Sequence, residues 1–256
     1  MCRMRGKVEE YLLNELEKHG KIQITLIDPE NLDVETASKI TAETEALGSS
    51  AIMVGGSTVT SPTRLDEIVL AVKKSVEIPV ILFPNNVTGI SRYADAIWFM
   101  SLLNSSDPYY IIGAQMLGAP IIKRYGIEPI PMGYIVVGSE SAVSVVGQAK
   151  AIPKNKPELA AAYALAAQYL GMRFIYLEAG SGAKEPVSCE MVNLTRRYID
   201  LPIIVGGGIK TGLQAREIVD AGADIIVTGT VAEDPEAKSR LQDIIHNIRC
   251  GRSGGD

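Results

Sequence analysis

The chain has 256 residues, of which 46% are hydrophobic and 21% charged, and its formal net charge is −5. This is the composition of an ordinary globular domain, and about 250 residues is the usual size of a barrel of eight βα units. The negative charge argues against a nucleic-acid partner. No apolar stretch reaches the roughly 18 residues of a membrane span, and no signal peptide is recognisable. We expect one cytoplasmic domain over residues 1–256, with a frayed tail at 250–256, that meets a membrane only through its substrate or product.

The cysteines and histidines exclude several kinds of site. Cys2, Cys189 and Cys250 show no CxxC spacing, so we expect reduced thiols and neither a disulfide framework nor a zinc site. The two histidines are His19, ahead of the first predicted strand, and His246, in the last predicted helix. Neither position is where a βα barrel carries its chemistry, which nearly excludes histidine acid–base catalysis.

Short apolar strands alternate with helical segments along the chain. An amphipathic helix is predicted over 8–18. The predicted strands follow in order: KIQITLID (21–28), AIMVGG (51–56), PVILFP (79–84), AIWFMS (96–101), PIPMGYIVV (129–137), RFIYLE (173–178), IIVGGG (203–208) and DIIVTGT (224–230). Helices are predicted at 34–47, 62–77, 108–125, 157–170, 187–198, 211–221 and 235–248. Unbroken Val and Ile runs suit strands buried on both faces, so we predict an α/β fold, a closed TIM (βα)8 barrel with an extra N-terminal helix.

Three segments depart from the regular repeat. Residues 85–96 are too few for a full crossover helix, so the third helix of the barrel should be missing or degraded. In the helix predicted over 108–125, Gly113, Gly118 and Pro120 should weaken the second half. Residues 138–156 are too polar and broken for one regular element, and a long loop of this kind often shapes a site.

Reactive groups in a βα barrel lie at the carboxyl ends of the strands, and here those ends offer two acidic residues, Asp28 and Glu178. The last two strands end in glycines, at 206–208 and 228–230 (TGT). Glycines at such ends expose backbone N–H groups and allow an anion to approach, as in barrels that bind phosphate after their last two strands. Tight turns are the alternative reading. Lys210 adds a charge nearby, although loop lysines are usually only solvated.

Glu178 ends the sixth predicted strand and enters the small-residue loop AGSG (179–182). One interpretation is a carboxylate that accepts a proton or a hydrogen bond from a ligand hydroxyl beside an anion cradle. The other is a carboxylate tied to a neighbouring basic residue such as Lys184.

Asp28 ends the first predicted strand in the sequence DPEN. A magnesium ligand is one interpretation, because hard cations prefer carboxylate oxygen and share their coordination shell with water and substrate phosphates. A turn or cap aspartate before Pro29 is the other. Ser57 and Thr58 follow the second strand and could add an oxygen ligand or cap the next helix.

An aromatic and aliphatic cluster follows the fourth strand. It suits ordinary core packing, and the sharper alternative is a groove for an acyl or prenyl chain. Its members are Trp98, Phe99, Tyr109, Tyr110, Ile111 and Ile112.

Six motifs taken together resemble the geranylgeranylglyceryl phosphate synthase family, archaeal prenyltransferases with bacterial heptaprenylglyceryl phosphate relatives. The resemblance covers nearly the whole chain in motif order. The motifs are LIDPE (26–30), VGGST (54–58), PMGYIVV (131–137), YLEAGSGA (176–183), VGGGIK (205–210) and IVTGT (226–230).

The resemblance implies a reaction and a set of site residues. The C3 hydroxyl of sn-glycerol 1-phosphate would attack C1 of geranylgeranyl diphosphate, with Mg²⁺ held by Asp28 and Ser57. Asp28 and Glu178 would be the catalytic residues. The glycerol-phosphate site would comprise Tyr176, Leu177, Glu178, Ala179, Gly180, Ser181, Gly182, Gly207, Gly208, Gly229 and Thr230. The family also implies a barrel without a regular third helix and a homo-oligomer.

Two rival functions remain open from the residues alone. Another phosphate-binding barrel enzyme, such as a sugar-phosphate isomerase or a relative of thiamine-phosphate synthase, would need other acid–base groups than Asp28 and Glu178. A non-catalytic phosphate-binding protein would need no metal.

Overall fold

The computed structural model describes residues 5–56, 61–138, 141–229 and 236–249. Within these ranges eight parallel strands pair in chain order, and β8 pairs with β1 to close the barrel. The strands are β1 (Ile22–Ile27), β2 (Ala51–Val54), β3 (Val80–Leu82), β4 (Ala96–Leu102), β5 (Glu128–Val136), β6 (Phe174–Glu178), β7 (Ile203–Gly206) and β8 (Ile225–Gly229). The predicted TIM barrel is confirmed.

Helices surround the barrel and also precede it. They are α1 (Lys7–His19), α2 (Val34–Ala46), α3 (Pro62–Ser75), α4 (Ala114–Tyr125), α5 (Ala142–Val146), α6 (Pro157–Tyr169), α7 (Cys189–Tyr198), α8 (Gly212–Asp220) and α9 (Ala237–Arg249). Among the described residues, no helix has the length and apolar character needed to cross a membrane. The predicted tail at 250–256 lies outside the described residues.

The connection between β3 and β4 contains a single 3-10 turn, Val87–Gly89, in place of a crossover helix. The Asn86 side chain accepts the N–H of Thr88 at 2.7 Å and so starts this turn. The prediction of a missing third helix is therefore confirmed.

The segment predicted as a helix over 108–125 begins with a π-helical turn, Tyr109–Gly113, and then runs as regular α4 through Gly118 and Pro120. The predicted weakness of the second half is wrong, because the irregular part is the first turn. A proline inside a helix removes the hydrogen bond to the carbonyl four residues earlier. Here that residue is Met116, which is 63% exposed, so water can take the place of the lost donor.

Helix α1 closes the amino-terminal end of the barrel. Its Leu12 is fully buried against the interior layer that includes Ile22 and Ile24. The Glu128 carboxylate, at the start of β5, accepts the N–H groups of Val8 and Glu9 at 2.8 and 2.9 Å. A carboxylate at this position satisfies free donors and complements the helix dipole. The extra helix is thus part of the fold, and the opposite end of the barrel is left for ligands.

Residues 138–156, predicted to be irregular, contain the short helix α5 and two isolated bridges among their described positions. One bridge joins Ser105 to Ala149, and the other joins Val137 to Ile152. This segment lies over the carboxyl ends of β4 and β5, so it borders the open end of the barrel.

Candidate active site

A cavity of about 670 Å³ opens at the carboxyl end of the barrel. One side is polar and is formed by the ends of β1, β2, β6, β7 and β8, whereas the other side is apolar and is formed by β4, α4 and α5. Of the predicted site residues, those that line it are Asp28, Tyr176, Glu178, Ser181, Gly182, Gly207, Gly208 and Gly229. Ser57 and Thr230 lie outside the described residues.

Glu178 is the buried carboxylate of this cavity, with 6% of its surface exposed. Its Oε1 accepts the N–H of Gly180 at 2.5 Å, and its Oε2 accepts the Tyr134 hydroxyl at 3.2 Å. Burial raises the pKa of Glu178, while the hydrogen bonds from Gly180, Tyr134 and Tyr176 oppose that rise. The structure pairs Glu178 with amide and hydroxyl donors instead of with Lys184, so the interpretation as a simple ion pair is wrong.

Tyr134 is a site residue that the sequence analysis missed. It lies on β5 directly opposite Tyr176 of β6. The two rings are 5.2 Å apart, and each is 5.5 Å from the ring of Phe83. Burial first, and then the charge of Glu178, raises the pKa of both tyrosines well above its usual value. Both hydroxyls therefore stay protonated and can donate to the carboxylate.

The glycine run after β7 accommodates this group of side chains as well as leaving space for a ligand. A Cβ on Gly206 would collide with the hydroxyl of Tyr176. A Cβ on Gly207 would lie 2.6 Å from Glu178 Oε1 and 2.7 Å from the backbone N and O of Gly180, and the φ of Gly207 is +84°. Gly229 differs, because a Cβ there would meet nothing within 4 Å.

Two predicted binding residues turn their side chains away from the cavity. Leu177 and Ala179 pack in the cluster between the barrel and its outer helices. Successive side chains of a strand point to opposite faces, so Tyr176 and Glu178 face inward while Leu177 faces outward.

Asp28 lines the cavity at the end of β1, and its carboxylate also organises the following turn. The N–H of Glu30 donates to Oδ1 at 3.0 Å, and the Asn31 amide donates to Oδ2 at 3.2 Å. Gly56 approaches so closely that a Cβ there would lie 2.7 Å from Asp28 Oδ2. The interpretation of Asp28 as a turn aspartate is therefore confirmed. Its carboxylate also faces the cavity.

The residues present fit a loosely held hard cation. Among the described residues, no cluster of three or more His, Cys, Asp or Glu side chains could hold a metal. Mg²⁺ is usually bound through one or two carboxylates, with water and substrate phosphates completing the shell. Asp28 supplies one such carboxylate, so its surroundings suit Mg²⁺ and do not suit a metal bound by protein ligands alone.

The apolar side of the cavity contains part of the predicted aromatic cluster. Trp98 is fully buried and packs edge-on against Phe174 at 5.2 Å, and it also lines the cavity. Phe99 and Tyr110 line the cavity too, whereas Ile112 is 63% exposed outside it. Core packing and a groove wall are thus both present in this cluster.

The fold and the cavity define a TIM-barrel protein that places a buried carboxylate between a glycine-rich edge and an apolar chamber. Residues 14–248 match the model of the PcrB family, and the chain belongs to that family. Together with the named relatives described next, this match confirms the family resemblance recognised from the motifs.

The chain is similar to several proteins called geranylgeranylglyceryl phosphate synthase. It is 56% identical to the one from Pyrococcus abyssi over 95% of this chain and 98% of that protein. It is 54% identical to the one from Thermofilum pendens over 98% and 97% of the two chains.

A solved structure has the same fold. The Thermoplasma acidophilum (S)-3-O-geranylgeranylglyceryl phosphate synthase, in complex with its substrate sn-glycerol-1-phosphate, superposes with a TM-score of 0.90 at 40% identity, over 96% of this chain and 99% of that one. A thiamine phosphate pyrophosphorylase from Pyrococcus furiosus, at 13% identity and a TM-score of 0.58, shares the fold alone.

Proposed function

We propose that this chain is a prenyltransferase that joins sn-glycerol 1-phosphate to geranylgeranyl diphosphate. The C3 oxygen of the glycerol would form an ether bond to C1 of the prenyl chain, and diphosphate would leave. One observation carries the proposal: a single cavity combines the Glu178 carboxylate and a glycine edge with an apolar chamber. The similarity to named synthases over nearly the whole chain supports it.

The glycine edge is the proposed phosphate site. Gly207, Gly208 and Gly229 line the cavity and present backbone to a ligand. We assign Thr230 to the same site from the family resemblance. Glycine backbone at strand ends and helix N-termini suits an anion, because N–H groups can converge on it without a side chain in the way.

The loop after β6 is the proposed glycerol site. Ser181 and Gly182 line the cavity beside Glu178. Leu177 and Ala179 pack outward, so any contact of theirs with the ligand would be through the backbone. Tyr176 and Gly180 both donate to Glu178, and we assign them to this site through that carboxylate.

Glu178 is the proposed general base. A primary alcohol is a weak nucleophile, and transfer of its proton to a positioned carboxylate typically contributes about 10²–10⁴-fold. Burial raises the pKa of Glu178, which brings its basicity nearer to that needed at neutral pH. The proton lost from the C3 hydroxyl would reside on the Glu178 carboxylate.

Asp28 and Ser57 are the proposed holders of Mg²⁺. When bound, the ion would neutralise the charge that develops on the leaving diphosphate as a Lewis acid. Phe99, Tyr110 and Ile122 would bind the prenyl chain and keep water away from the reacting carbon.

The association of the chain with itself and its location in the cytoplasm stay predictions. Helix α6 and the residues after it expose several large apolar side chains, which supports a homo-oligomer: Leu159, Tyr163, Tyr169 and Leu170. Light scattering at several concentrations measures the mass. A monomeric mass throughout would contradict the homo-oligomer.

The proposed activity is tested with labelled glycerol 1-phosphate and prenyl diphosphates of graded length, with and without a chelator of divalent cations. We expect the label to move into the organic phase with geranylgeranyl diphosphate and to stay in water when the chelator is present. Label that stays in water with every prenyl diphosphate would contradict the activity. Transfer unaffected by the chelator would contradict only the magnesium assignment.

A further inference from the structure

We infer that Tyr134 is a positioning residue for Glu178, and that its hydroxyl holds the carboxylate in the one orientation in which it can take a proton. The inference rests on the proposed function, because it assigns Tyr134 a role through the proposed base. Tyr134 belongs to β5, and Glu178 belongs to β6, so the contact joins two neighbouring strands.

Each oxygen of the Glu178 carboxylate has its own donor. The backbone N–H of Gly180 donates to Oε1 at 2.5 Å, and the Tyr134 hydroxyl donates to Oε2 at 3.2 Å. The Tyr176 hydroxyl also donates to this carboxylate, but Tyr176 lies on the same strand as Glu178, and Gly180 follows in the loop after it. The last torsion of a glutamate side chain has a broad energy profile, so a donor from elsewhere restricts it further. A donor on the second oxygen from a different strand fixes the plane of the carboxylate.

The ring of Tyr134 is itself held in place. Phe83 packs against it edge-on at 5.5 Å, and Tyr176 packs against it at 5.2 Å. The residue is 3% exposed. The hydroxyl therefore reaches Glu178 from a fixed position, so its contribution does not depend on ordering a flexible side chain.

The hydroxyl also supports the ionised form of the base. A buried carboxylate loses its hydration, and only donors within the site can replace it. The titratable groups in contact with Glu178 among the described residues are Tyr134 and Tyr176. On the other side it faces Gly206, at the end of β7, and Gly207, which follows that strand. Further charged groups that line the same cavity are Asp28, Lys210 and Arg240.

The test is Tyr134→Phe, which keeps the ring and removes the donor. Because the variant loses a hydrogen bond to a charged group, kcat should fall about 10- to 100-fold. The KM for geranylgeranyl diphosphate should stay unchanged. The acid limb of the kcat profile should move to higher pH by about one unit, because the lost donor favoured the ionised carboxylate. Tyr198→Phe, at a half-exposed position on α7, is the matched control and should leave both quantities unchanged.

A double-mutant cycle tests whether Tyr134 acts on kcat through Glu178 or independently of it. If Tyr134 acts through Glu178, adding Tyr134→Phe to Glu178→Gln should cost little beyond Glu178→Gln alone. An equal fall in kcat in both backgrounds, or an unmoved acid limb in Tyr134→Phe, would overturn the inference. Failure of the proposed function is distinct, because the unmodified protein would then form no prenylated product.

Discussion

Gly207 and Gly229 are both assigned to the phosphate edge, yet the structure predicts that replacing them with alanine affects the stability of the protein differently. A Cβ on Gly207 would lie within 2.7 Å of Glu178 Oε1 and of the Gly180 backbone, and its φ of +84° is unfavourable for any residue with a side chain. A Cβ on Gly229 would meet open space in the cavity. The protein itself needs the first glycine, whereas only the ligand needs the second.

The cost of Gly207→Ala follows from two terms. A side chain in the left-handed region costs roughly 1–2 kcal/mol, and forcing added atoms into a packed site costs roughly 1–3 kcal/mol. The free energy of unfolding should therefore fall by at least about 2 kcal/mol, which lowers Tm by roughly 4–8 °C in a domain of this size. Gly229→Ala should change the free energy of unfolding by less than about 0.5 kcal/mol.

The measurements are urea unfolding for stability and calorimetric titration for sn-glycerol 1-phosphate binding. We expect Gly207→Ala to lose both stability and binding, and Gly229→Ala to lose binding alone. Equal unfolding midpoints for the two variants would refute this account of the glycine edge. Unchanged binding in Gly229→Ala would remove that residue from the phosphate site.

Three further perturbations test separate parts of the account. Asp28→Asn should abolish turnover while calorimetry still detects glycerol 1-phosphate, and full activity would return Asp28 to the role of a turn residue. Glu178→Gln should lower kcat by roughly 10²-fold or more, and a normal kcat with a raised KM would make Glu178 a binding residue. Because burial raises the pKa of Glu178, its contribution to stability is greatest at low pH and is lost as pH rises through the folded-state pKa, so Glu178→Gln should gain relative stability in urea above that range. Glu128→Ala should lower the free energy of unfolding by about 1–2 kcal/mol, because α1 loses its cap, and an unchanged urea midpoint would contradict that role.

The fold followed from the sequence because its signals are local. Unbroken Val and Ile runs such as 203–205 mark strands buried on both faces, and their spacing leaves room for one helix each. The short gap at 85–96 is also a local signal, because it holds too few residues for a crossover helix. The π-helical turn at Tyr109–Gly113 could not be predicted, because it depends on how the helix packs over the barrel end.

The acidic residues of the site could be predicted by elimination, since the strand ends offer only Asp28 and Glu178. Tyr134 could not be found from the residues at the strand ends, because β5 continues beyond it to Val136. Its signal was the inward parity that it shares with Met132 and Val136, whose side chains are in the interior cluster. A tyrosine is long enough to reach a carboxylate on the neighbouring strand, and that contact requires the strand register.

The most direct test of the central claim is a crystal structure of this chain with sn-glycerol 1-phosphate bound. The account predicts the phosphate against the backbone of Gly207, Gly208 and Gly229, and the C3 hydroxyl about 2.6–3.2 Å from a carboxylate oxygen of Glu178. A phosphate bound elsewhere in the cavity, or a C3 hydroxyl turned away from Glu178, would contradict it.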